Sequence, residues 1–365
     1  MRLPRRRGSA AVAAAAAALA LAAAPGHAVD TTGCAPYSGS GAGIAAAVAA
    51  HDCVALAPGT YLLPRVLVLP VGHDLVGTGT TRAGVVVRPG SAFPDLTLVR
   101  RDVAGGDVSR IEHLTLDGRL PDGRRLPKLV LRSDLAIDDV VLRETTCYAL
   151  GIQGYRVTVR HSLFERNGLA CPNAPPGAGI YAVAARGSDA VAYAPVIEGN
   201  EFRRNVGPGA DIAGVRNGVF RGNHVHDNAG YAGLALFGAK GWLVERNTVF
   251  HAATEPGYPY SGGRCDTGPG GLRRPAAVLV CQKDADRLMV TTRNVIRDNR
   301  LASYWGLLLV GNDEAVPYWA PRANVVAGNT TTGSRVGCAD DFRPGQWFAD
   351  DNVWTANSCG RPVYF

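Results

Sequence analysis

The chain has 365 residues, 19% of them charged and 47% hydrophobic, with two methionines, which excludes a highly charged disordered polymer and a methionine-rich binding surface. Its 45 glycines and 23 prolines are too many for a helical bundle and point to a turn-rich, mostly β structure. The formal charge of +7 includes Arg2, Arg5, Arg6 and Arg7 of an N-terminal leader; without them 7 − 4 = +3 remains, which makes no case for nucleic acid.

Residues 1–28 open with that arginine cluster, run through an Ala/Leu stretch from Ala10 to Ala24 and end in Pro25-Gly26-His27-Ala28, the pattern of a secretory signal peptide. No later stretch has the ~18 apolar residues of a membrane span. The expectation is a secreted, extracellular chain whose residues 29–365 form a single domain. All eight cysteines follow the leader, and an even count in an exported chain implies disulfides. They fall into four sequence-local couples: Cys34 with Cys53, Cys147 with Cys171, Cys265 with Cys281, and Cys338 with Cys359. A zinc site is the rival, but there is no C-x-x-C and no Cys/His cluster at ligand spacing.

Further along, Ala42 to Ala50 reads as an amphipathic helix able to plug the end of a coil. Short strands follow at Val54–Tyr61, Leu75–Gly79 and Ile111–Gly118. From there a repeat takes over, each copy placing a turn-forming polar residue between two apolar ones: Asp139, Ser162, Asn200, Asn223, Asn247, Asn299 and Asn329. Their separations are 23, 38, 23, 24, 52 and 30 residues, a base period of about 23 broken by insertions, which is the signature of a solenoid. Stacked turn asparagines suit a parallel coil, since each amide can donate to the carbonyl of the next. The leucine-dense repeat of the competing horseshoe is absent. After most turns a second strand follows, with Ile152, Ile180, Ile212, Leu234, Val278 and Leu307 as its inward row.

These segments together resemble the pectate-lyase-like (pectin lyase-like) superfamily over roughly residues 42–357. The resemblance implies an all-β fold: a single-stranded right-handed parallel β-helix with an N-terminal capping helix. The superfamily holds polysaccharide lyases, hydrolases, uronate epimerases, transferases and non-catalytic repeat proteins, so the fold does not choose a reaction.

With side chains alternating along a strand, two outward columns follow. One reads Gly151, Gly179, Asp211, Gly233, Ala277, Gly306, the other Gln153, Tyr181, Ala213, Ala235, Leu279, Leu308, with Tyr231 and Tyr304 nearby. A lone carboxylate, Asp211, among small residues and tyrosines suits a polymer lying along the coils. Asp211 could also simply be solvated or partner Arg216. Elimination or epimerisation beside a uronate carboxyl needs a base, an acid and a counter-charge. Asp211, His226, Tyr181, Tyr231 and Lys240 are the candidate catalytic groups, and Gln153, Arg216, Tyr304, His251 and Glu255 the candidate substrate-binding ones. By the repeat alignment His226 corresponds to Arg203 and Phe250, all three pointing away from the core.

Insertions at 168–177 and 252–274 are expected to wall the Asp211 face, and the second carries Glu255 and Asp266. The resemblance also implies calcium as a cofactor of lyases, for which Asp138-Asp139, Asp340-Asp341 and Asp350-Asp351 supply oxygen donors, although a calcium site needs six to eight ligands. The polygalacturonase-like Arg-Ile-Lys motif is missing. The leading expectation is a carbohydrate-active enzyme, a polysaccharide lyase or uronate epimerase acting on an acidic polysaccharide. The alternatives are a glycoside hydrolase or glycosyl-transferring enzyme, a non-catalytic surface-binding β-helix, and a cyclase or dehydratase of secondary metabolism.

Overall fold

A computed structural model describes residues 29–101, 105–131, 134–169, 171, 177–183, 194–251, 274–282, 291–311, 321–340, 351–359 and 362–364. The leader, most of both expected insertions, Glu255, Cys265, Asp341 and Asp350 therefore lie outside the described residues.

The described strands form three parallel sheets. The first has twelve strands, from Ala35–Tyr37 to Val353–Thr355; the second has nine, from Gly59–Leu63 to Arg300–Ala302; the third has eleven, from Leu67–Leu69 to Val363–Tyr364. One full coil visits them in turn, as in Val219–Arg221, His224–His226 and Ala232–Phe237, before Leu243–Glu245 returns to the first sheet one rung further on. This is the expected parallel β-helix. The 3-10 turn Gly41–Gly43 and helix Ile44–Ala50 sit at its N-terminal end. Ile44 and Val48, one helical turn apart, are both fully buried against the first coil. A Cβ on Gly41 would lie 2.3 Å from the Leu62 carbonyl oxygen, so only glycine lets the helix seat this closely.

Each coil turns three corners, and along part of the coil the same device appears at all three. Between the first and second sheets His161, Gly199, Gly222, Arg246, Asp298, Gly328 and Ala356 adopt φ between 46° and 64°. Ser162, Asn200, Asn223, Asn247, Asn299, Asn329 and Asn357 follow them, and all are buried. The backbone N–H and the Nδ2 of Asn223 both donate to Asn247 Oδ1, at 2.9 and 3.1 Å, while Nδ2 also donates to the Ile197 carbonyl at 2.9 Å. A turn that would strand a buried amide is thus satisfied by the following coil. The row begins at Ser162, not at Asp139: Val140 occupies the equivalent position and donates its N–H to Ser162 Oγ at 3.1 Å.

Two further rows were not read from the sequence. At the corner between the second and third sheets, Thr145, Asn167, Asn205 and Asn228 are linked side chain to side chain at 3.1, 2.9 and 2.8 Å. At the corner leading back to the first sheet, Asn294, Asn324 and Asn352 are linked at 2.9 and 3.0 Å.

The described disulfides are Cys34–Cys53, Cys147–Cys171 and Cys338–Cys359, three of the four expected couples. Cys281 is also disulfide-bonded. Among the described residues no helix is long and apolar enough to cross a membrane.

Candidate functional site

Strand register on the third sheet corrects the expected columns. Leu150, Ile180, Ala210, Leu234, Val278 and Leu307 form one inward row, and Ile152, Ala182, Ile212, Leu236, Val280 and Leu309 the next. The expected inward row mixes the two because alternation breaks just before the first. Gly179, Gly233 and Gly306 face the core as well: a Cβ on Gly179 would lie 3.0 Å from Phe202 Cδ1, and one on Gly233 2.4 Å from Val249 Cγ1. These small residues make room for the second sheet's side chains and are not a floor for a substrate.

Asp211 stands in the outward row between the two inward ones, with Tyr181 and Ala235 as its register neighbours and Leu279 and Leu308 beyond. It lies between Ala210 and Ile212, both fully buried, so it points out of the coil, yet it is only 8% exposed. The expected open ground between glycines is therefore a largely covered position between a phenol and an alanine.

The Tyr231 hydroxyl donates to Asp211 Oδ2 at 2.7 Å. Burial, then the charge of Asp211, then Tyr148 push the Tyr181 phenol up to about 12. The Tyr148 and Tyr181 rings lie 5.2 Å apart, and Lys128 Nζ stands 5.3 Å from the Tyr148 ring centre. The sequence reading missed both Tyr148 and Lys128. The signal was the register of Val130 with Leu150, which carries Lys128 onto the rung before Tyr148. The disulfide of the adjacent Cys147 to Cys171 anchors the start of this strand. Further along the face Ala235, Leu279, Leu308, Phe237, Cys281, Val310 and Trp305 form a second, buried apolar cluster outside the coil. Among the described residues this cluster separates the polar group around Asp211 from Tyr304 and its arginines further along the face.

Of the other expected site residues, Gln153 lies exposed at the end of the Tyr148 strand. Tyr304 packs edge-on against Trp305 between the guanidinium groups of Arg274 and Arg335, at 5.2 and 5.3 Å. Arg216 and Lys240 are bridged through their backbones at the corner between the third and first sheets.

His226 does align with Arg203 and Phe250 and is partly exposed, as expected. It nevertheless belongs to the second sheet, so the structure does not join it to Asp211. Its Nε2 lies 3.0 Å from Glu201 Oε1 and its Nδ1 2.9 Å from Asp227 Oδ2, and its ring stacks on His224 at 4.3 Å. His251 is fully buried, with Nε2 on the Gly230 carbonyl at 3.0 Å, and burial pushes its imidazole down to about 4. Fully enclosed and bonded to the Gly230 backbone, it is closed to a substrate.

The calcium expectation does not fit Asp138 and Asp139. Asp138 receives His161 at 2.8 Å, whereas Asp139 meets Arg82 at 3.2 Å and His113 Nδ1. Among the described residues no cluster of three or more His, Cys, Asp or Glu side chains is suited to a metal ion.

No curated protein sequence matches the chain. Among solved structures it is similar to the surface adhesin PfbA of Streptococcus pneumoniae, at 15% identity and a TM-score of 0.57 over 79% of this chain and 75% of that one. It is also similar to an alginate lyase from Paenibacillus sp. str. FPU-7, at 14% identity and 0.53 over 82% and 95%. A third similar structure is the A-module of the mannuronan C-5 epimerase AlgE6 of Azotobacter vinelandii, at 15% identity and 0.45 over 88% and 96%. At these identities the first two likenesses are ones of fold. The family model described as the right handed beta helix region matches residues 152–340, and the described strands within that stretch belong to the three-sheet coil: the chain belongs to the right-handed β-helix family.

Proposed function

We propose that the chain is a secreted carbohydrate-active enzyme that works on an acidic polysaccharide by elimination or epimerisation at the carbon beside the uronate carboxyl. The Tyr231–Asp211 hydrogen bond beside a phenol held in its protonated form carries this reading. Such chemistry needs one group to take a proton from carbon and another to deliver one. Asp211, oriented by Tyr231, is the acceptor; Tyr181, with its pKa raised to about 12, stays protonated at neutral pH and is the donor. Lys128, three rungs before Asp211 on the same sheet, supplies positive charge further along the coil axis, and Gln153 and Tyr304 extend the face along that axis. The disulfides fit an oxidising compartment, which supports export.

The test is incubation with a panel of uronic-acid and neutral polysaccharides, following ultraviolet absorbance of unsaturated ends, reducing ends, and the proton NMR of the uronate residues. Unsaturation marks elimination and an altered NMR signature without cleavage marks epimerisation. Asp211→Asn and Tyr181→Phe should each lower the rate by about 10²- to 10⁴-fold with the melting temperature held. Full activity in Asp211→Asn would remove the assignment. Reducing ends without unsaturation would favour hydrolysis, and binding with no turnover a non-catalytic surface.

A further inference from the structure

We infer that the outer face of the first sheet is a self-association surface, on which a second copy of this chain docks with its coils running in the opposite direction. On successive strands of this sheet the outward position before the core residue holds Val196, Val219, Leu243, Val295, Val325 and Val353, in unbroken register. Six strands at ~4.8 Å spacing make an aliphatic stripe about 24 Å long. None of these side chains belongs to either buried cluster. Val325 is 36% and Val353 52% exposed, and the other four are partly exposed. On the third sheet the comparable outward aliphatics Leu279 and Leu308 are 1% and 2% exposed. The first sheet thus leaves uncovered what the third covers.

Charge selects the occupant. Beside the stripe, the outward position after the core residue reads Glu198, Arg221, Glu245, Arg297 on four rungs, preceded by Asp138 and Arg160 and followed by the neutral Ala327 and Thr355. Within the chain Arg221 meets Glu198 at 2.8 Å and Arg297 meets Glu245 at 2.6 Å. An alternating column of even length is complementary to its own reverse. A two-fold axis along the strand direction, between the strands Val219–Arg221 and Leu243–Glu245, keeps each column opposite itself and reverses the order of the rungs. Glu198 then faces the second copy's Arg297 and Arg221 its Glu245, while Arg160 and Asp138 fall on its neutral Ala327 and Thr355. Val196 meets Val295 and Val219 meets Leu243, while Val325 and Val353 fall on Thr158 and Ala136, the preceding members of the same column. A uniformly basic or acidic partner would instead meet like charge at every second rung. The stripe and its column, about 24 Å by about 10 Å, are smaller than the ~800 Å² per partner of a standard interface, so the dimer is a weak, reversible one.

Sedimentation velocity on the folded chain from low to high micromolar concentration tests this. Dimer should accumulate with concentration, and Glu198→Arg alone or Arg297→Glu alone should weaken it about tenfold or more while the thermal melt shows each variant folded. Mixing the two variants should restore association, because in the mixed pair every introduced charge faces an opposite one. Val295→Lys, within the stripe, provides a second disruption independent of the charge column. A monomer at every concentration, single variants that associate as the parent does, or a mixture no stronger than its components would each overturn the inference.

Discussion

What a half-buried polar group does in this solenoid depends on its neighbour, and His226 shows how much that neighbour decides. The hydrogen bond to Glu201 comes first, and with Asp227 it holds the imidazole above its ordinary value of 6.5 against the opposing effect of burial. The same bond holds Glu201 below its ordinary 4.5. A raised histidine contributes stability that is present in acid and lost as pH rises through its folded pKa, whereas a depressed carboxylate contributes stability lost as pH falls through its own. The pair therefore stabilises the fold most between about pH 4.5 and 6.5. Glu201→Gln should lower the thermal midpoint chiefly inside that window and bring the His226 NMR titration downward; an unchanged titration would show the bond to be unimportant. His224, pushed down by burial and by its charged neighbour, should titrate upward when His226 is replaced by glutamine. At this same scale the sequence told which residue types were present but not their exposure. Asp211 is outward yet covered, His251 is a packing residue, and Tyr148 was legible only through the register of Leu150 with Val130.

Strands and corners decide what the single residues can do. The row of turn asparagines was legible because a period of about 23 residues repeats an amide flanked by apolar residues. The row at the second corner was not, since Phe164, Phe202 and Val225 stand three residues before Asn167, Asn205 and Asn228 but the residues after them, Gly168, Val206 and Ala229, repeat no type. Asn247→Ala would leave the Asn223 backbone N–H and the Phe220 carbonyl without their present partners inside the corner. Buried groups so stranded cost about 1–3 kcal/mol each, so the variant should lose about 3 kcal/mol in denaturant unfolding, with Asn247→Asp intermediate because it keeps the accepting oxygen. The outward columns were misread for a comparable reason. Where Gly233 and Leu234 both face inward, a strict two-residue alternation slips by a position, and the glycines look like surface. Gly233→Ala separates the two readings: its Cβ would press on Val249 at 2.4 Å, so the expected outcome is a loss of about 1–3 kcal/mol in stability from overpacking. A stable variant with altered substrate affinity would restore the surface reading.

Over the whole molecule the fold was more legible than its site, and the difference is physical. A solenoid repeats its solution coil after coil, so a weak local pattern is reinforced each time, down to the capping helix and three of the disulfides. A site is made once, by side chains from strands such as Lys128–Leu131, Tyr148–Ile152, Ile180–Val183 and Ala210–Ala213, and its composition depends on register to within one residue. The three sheets also divide the surface by character. The third joins a carboxylate and phenols to a covered apolar cluster, the second carries the histidine and acid group, and the first alternates aliphatic and charged columns.

The corner between the first and second sheets has a consequence for how such a molecule can be lengthened. From Asn200 to Asn357 each amide takes hold of the one before and offers the identical grip to the one after, whatever stretch of chain intervenes. The joints are interchangeable, like links of one gauge. A duplicated or transplanted winding needs only an asparagine at that bend to be accepted, so growth by copying demands no new solution from its neighbours, and large excursions elsewhere on the circuit leave the coupling undisturbed.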